Sequence, residues 1–208
     1  MTPTNADADT TGDIAWMRAL AQEGASAPLR GGSILMAAGL IFGVASIVHW
    51  AGVSGLTGLR DEGLGLVWLG ATVVFLAVLI VGSVRRGKDG VHTAANRASA
   101  VAWSSVGWGI FATFASVGVA ASRLGQAGLL LLALVPSIVM VFYGMGWAVS
   151  ATMTRSRPLW GLAICSFIAA PLLASLSGLD IQYLGYGVCL FLLMALPGFL
   201  LMRAAKRV

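Results

Sequence analysis

Two histidines, two cysteines and a row of small hydroxyl residues are the side chains of this sequence whose types and spacing suggest chemistry. His49 stands beside Trp50 at one end of an apolar run, where an imidazole is the side chain best suited to respond to pH near neutrality. It is therefore the candidate pH-responsive group. His92 lies in a basic stretch beyond the following apolar run, so the two histidines are expected on opposite membrane faces and cannot share a haem or a metal. Cys165 and Cys189 sit at depths that differ by roughly 10 Å on a helical rise of about 1.5 Å per residue, too far for a disulfide. Ser105, Gly109, Thr113 and Ser116 fall at steps of four, four and three, which places them on one helix face. Such a face serves either close helix packing, for which small residues and hydroxyls are well suited, or a weakly polar pathway through the membrane.

Gly52-Val53-Ser54-Gly55 is similar to the Gly-x-Ser-Gly of rhomboid-type intramembrane proteases. The resemblance covers four residues and implies an intramembrane serine hydrolase with Ser54 as nucleophile. The sequence departs from that family in two ways. Ser54 follows the first apolar run instead of opening a late helix, and the only histidine near it, His49, belongs to the same helix end. A turn serine among glycines accounts for the same residues.

The elements that carry these residues are set by composition. Of 208 residues, 58% are hydrophobic and 10% charged, where an ordinary soluble domain has roughly 25% charged. The charges are clustered, leaving six long apolar segments at 33–53, 64–84, 99–121, 127–150, 158–178 and 182–202. Each is near the ~20 residues that cross a hydrocarbon core, and none alternates as a barrel strand must. The expectation is an all-α integral membrane protein, a six-helix bundle over 32–203, with lipid as its first partner. Short links at Gly55–Gly63, Arg123–Gln126 and Leu179–Ile181 suggest three helical hairpins.

Eleven of the thirteen Lys and Arg residues, among them Arg30, Arg85, Arg155 and Arg203, fall on one side of the six spans. By the positive-inside rule that side is cytoplasmic, with both termini inside and a bacterial inner membrane as the location. Trp50, Trp68, Tyr183 and Tyr186 then lie at outer ends and Trp103, Trp147 and Trp160 at inner ends. Residues 1–31 form a cytoplasmic segment that does not resemble a cleaved signal peptide. Within it Ile14, Met17 and Leu20 recur at helical spacing, as in a short amphipathic helix that lies on the membrane or receives a protein partner. Residues 204–208 form a basic tail.

The spans carry no Asp, Glu, Lys or Arg away from their ends, which argues against proton-relay or carboxylate-coupled transport. No cofactor fingerprint, metal-ligand spacing or phosphate-binding loop occurs, and the net charge of +5 sits beside apolar segments, where anionic lipid rather than nucleic acid is the natural counterpart. The expected function is non-enzymatic: a sensory or assembly subunit acting through a protein partner on the cytoplasmic side, with self-association through small-residue faces a further expectation. The alternative is a channel or facilitator for a small neutral solute, favoured by the Thr113 face and by Pro136, Pro171 and Pro197 inside the last three spans.

Overall fold

A computed structural model of the chain describes residues 31–59, 61–85 and 93–205, together with Trp16. The candidate surface helix at Ile14, Met17 and Leu20, the stretch holding His92, and residues 206–208 of the basic tail lie outside the described residues. Within them the chain forms six helices long and apolar enough to cross a membrane: α1 (Gly32–Val53), α2 (Asp61–Arg85), α3 (Ala94–Leu124), α4 (Gln126–Thr154), α5 (Arg157–Ser175) and α6 (Ile181–Ala205). No strand occurs among the described residues.

Local chemistry sets the boundaries. α3 begins at Ala94, ahead of the expected 99, because the Thr93 hydroxyl accepts the Asn96 N–H at 3.1 Å and so caps the first turn. Gly125, at φ 57, ends it and starts α4 at once. α4 and α5 are joined by Arg155 and Ser156 alone, and Arg155 takes the left-handed conformation at φ 52 that a helix end usually gives to glycine.

Two of the three prolines coincide with changes in helix type. α4 tightens to a 3-10 helix over Leu130–Leu134 and resumes as an α-helix at Val135, placing Pro136 in a first turn, where a missing N–H costs little. α6 widens into a π-helical turn over Phe191–Ala195 just before Pro197. Pro171 lies inside α5.

α6 runs antiparallel against the full length of α1 at backbone contact distance. A Cβ added to Gly39 would collide with the backbone of Ala195, and one added to Gly198 would collide with that of Met36. Glycine at these two places is thus what brings the helices so close, and dispersion and weak Cα–H···O contacts follow from the proximity. α5 lies along α4, α3 covers another side of α4, and α2 rests on α1. The three-hairpin expectation needs correction in its last pair: α5 and α6 are consecutive, but α5 packs mainly on α4 and α6 mainly on α1. Glycine on α1 and α6, and small residues on α4 and α5, outweigh the proximity imposed by a short link.

The centre is filled by Met140 and Trp147 of α4, Ala163 of α5, and Leu190 and Met194 of α6, all at most 1% exposed. Trp147 and Tyr186, expected in interfacial belts, are buried instead. The periphery is the opposite. Leu66, Leu69 and Ile80 of α2, and Trp108, Phe111 and Val119 of α3, are each at least 60% exposed. Side chains of this kind facing water would be untenable at such density, whereas facing hydrocarbon they cost nothing.

Candidate functional site

The side chains with chemical potential gather where the C-terminal end of α1 meets the N-terminal ends of α2 and α6. α1 is long enough to carry His49 to its last turn, α2 starts soon after and places Trp68 alongside, and α6 holds Tyr183 in its first turn on the other side. The Trp68 indole N–H donates to His49 Nδ1 at 3.0 Å. The His49 ring lies over the Tyr183 ring, with centroids 3.8 Å apart and planes tilted by 37°. Beneath them the buried Ser46 hydroxyl donates to the Tyr183 carbonyl at 2.7 Å, which fixes the start of α6 against α1. An indole is a donor only, so His49 Nδ1 is an acceptor here and the imidazole is neutral with its proton on Nε2. One imidazole thus joins three helices.

Ser54 caps the end of α1, exposed in the link that follows. The imidazole that the rhomboid resemblance would require as its base is engaged by Trp68 and Tyr183. Among the described residues no three of His, Cys, Asp and Glu come together as a metal-binding group. Cys165 is exposed on α5 and Cys189 half-buried on α6, both as free thiols.

The row on α3 is divided by its surroundings. Gly109 lies under the Phe142 ring of α4 and Thr113 is half-buried, while Ser105 and Ser116 are exposed. Thr113 and Ser116 donate to the carbonyls of Gly109 and Ala112 in their own helix, each at 2.8 Å. Gly109, Thr113 and Ser116 border a cavity of ≈ 600 Å³ between α3 and α4, completed by Leu131, Ile138 and Phe142 and open sideways. The row therefore edges a lateral groove and stands apart from the bundle axis.

Deeper polar groups act as crossbars between helices. Gln182, 1% exposed, shares its amide N–H groups among the carbonyls of Ala133 (2.7 Å) and Leu173 (2.9 Å) and the Ser177 hydroxyl (3.3 Å). Three acceptors around one terminal atom require it to be nitrogen, which fixes the orientation of the amide. The carbonyl of Leu193 has no proton to accept from Pro197, four residues on, and takes the Trp147 indole N–H instead, at 3.0 Å. Ser137 donates to the Ala170 carbonyl at 2.8 Å, and the Trp103 indole reaches the Ser150 hydroxyl at 3.2 Å. Gln182 drew no notice in the sequence because a lone glutamine at the edge of a span looks like an interfacial residue.

Comparison with family models, with curated proteins and with solved structures found no match to the chain. The class rests on the molecule itself: six helices of this length and apolarity point to a helical integral membrane protein. Its particular role has to be argued from the surfaces it presents.

Proposed function

We propose that the protein is a non-enzymatic subunit of a membrane assembly or sensory system, in a bacterial inner membrane with both termini in the cytoplasm, and that it works by binding a protein partner. The observation that carries this reading is the contrast between a filled centre and two outlying helices. Only 6% of the membrane-crossing window of α2 and 11% of that of α3 is buried, against 39% for α4 and for α6. Helices so weakly held by their own bundle offer long lateral faces to neighbouring helices, among them the Trp108, Phe111 and Val119 face of α3. The amino-terminal segment and the basic loop after α2 would then supply the cytoplasmic contacts. The solute-facilitator alternative draws on the Thr113 groove, but the hydroxyls there already bond their own helix, and Trp147, Met140 and Leu190 fill the axis.

The test is photo-crosslinking in native membranes from a benzophenone residue at Phe111 or Val119, with one at buried Met140 as control. A single protein adduct from the first two positions and none from the third is the expected result. Lipid adducts alone, together with solute flux in liposomes that a bulky substitution at Thr113 blocks, would replace this reading with the facilitator.

A further inference from the structure

We infer that the His49–Trp68 hydrogen bond is a pH-sensitive latch holding the outer half of α2 against the bundle. This rests on geometry at the outer end and not on the partner reading. A neutral imidazole has one donor and one acceptor nitrogen, whereas the imidazolium has two donors and no acceptor. Because Trp68 offers only an N–H, uptake of a proton at Nδ1 sets two N–H groups against each other across 3.0 Å and abolishes the bond.

The contact of the ring with Tyr183 responds with the opposite sign. With centroids 3.8 Å apart, an imidazolium over the Tyr183 face gains a cation–π attraction. Tyr183 is itself tied to α1 by the Ser46 bond. Protonated His49 therefore stays with α1 and α6, and Trp68 is the group displaced.

The rest of α2 is suited to such a movement. Its contacts with α1 include the Phe42–Phe75 edge-to-face pair near mid-helix, with centroids 5.3 Å apart, and Leu64 set against Gly52 at the outer end. Between α1 and α2 lies a groove of ≈ 410 Å³ lined by apolar residues that include Leu40, Val44, Val67 and Val74. Loss of the latch allows the outer half of α2 to pivot about the phenylalanine pair and widen that groove. The titratable group facing His49 from α6 is Tyr183, which Asp180 in turn influences; in the sequence, Arg60, Asp61 and Glu62 stand at the entry to α2. The α1 turn that carries the imidazole has no other titratable side chain.

The experiment uses the full chain in lipid nanodiscs, with every tryptophan replaced by 5-fluorotryptophan and the Trp68 fluorine resonance assigned through Trp68→Phe. Between pH 8 and about pH 5 the Trp68 resonance should shift in one sigmoidal step, while those of Trp103 and Trp147 stay in place and report an intact fold. In His49→Gln, whose side-chain oxygen still accepts from the indole, the step should vanish. Amide exchange in the outer half of α2 should quicken at low pH by up to about tenfold, as expected for one hydrogen bond. Trp68→Phe should show the faster exchange at both pH values. A Trp68 resonance that ignores pH, or that shifts equally in His49→Gln, overturns the inference. So does a shift in wild type with unchanged exchange in α2.

Discussion

At the scale of single residues, the carbonyls of Leu193, Ala133 and Leu173 are each paired with a side-chain donor from another helix. In hydrocarbon no water can take that role, so the donor has to be built in. Trp147 and Leu193 are the clearest case, and they give a direct prediction. Trp147→Phe keeps most of the aromatic volume but orphans a buried carbonyl, which should cost about 1–3 kcal/mol in reversible unfolding from mixed micelles. Trp108→Phe, at a position 69% exposed, should be close to neutral. Equal stabilities for the two variants would mean that the indole N–H contributes nothing. Only half of this pairing was legible in the sequence. Pro197 announced that a carbonyl would be freed, but no spacing rule links residue 197 to an indole fifty positions earlier in the chain, and Gln182 with its carbonyls escaped notice for the same reason.

At the scale of elements, existence and type followed directly from apolar runs and charge clusters, while pairing did not. Gly39 and Gly43 stand in α1 at the Gly-x-x-x-Gly spacing that suits close helix approach, but a spacing names no partner, and the short link to α2 makes that helix the nearest in sequence. The structure gives that surface to α6, with Gly39 against Ala195 and Gly43 against the Phe191 ring. Helix subtypes were equally hidden. Pro136 and Pro197 indicated kinks, and the chain absorbs them as a 3-10 stretch and a π turn, choices set by neighbours and not by the proline alone. Two glycine substitutions separate packing from propensity. Gly39→Ala forces a methyl into the backbone of α6 and should cost about 1–3 kcal/mol as overpacking does. Gly107→Ala on α3 meets open space and should stabilise by up to about 1 kcal/mol through helix propensity. Thermal unfolding in the same detergent ranks the two, and a stable Gly39→Ala would show that α1 and α6 are less tightly joined than their backbones indicate.

At the scale of the whole molecule, the pattern of links fixes relative directions and the charges select the absolute one. Gly125 alone joins α3 to α4, and two residues join α4 to α5, so successive helices must reverse and an even number of spans returns both termini to one side. Which side is a matter of free energy outside the fold. Lys and Arg near span ends resist translocation, and in the sequence eleven of thirteen fall at or beside the α2–α3 link, the α4–α5 link or the segments before α1 and at the end of α6, against Arg60 and Arg123 at the remaining links. Reporter fusions truncating the chain after residue 156 and at 208 should therefore show cytoplasmic activity, and those after 125 and 179 activity outside. The fusion after 156 is the most discriminating, because Arg155 occupies the two-residue turn between α4 and α5 and cannot change sides without reversing both helices. A periplasm-only reporter active at 156 and at 208 would invert the assignment as a whole. His49 and its latch would then face the cytoplasm, and the pH it could sense would be that of the cell interior.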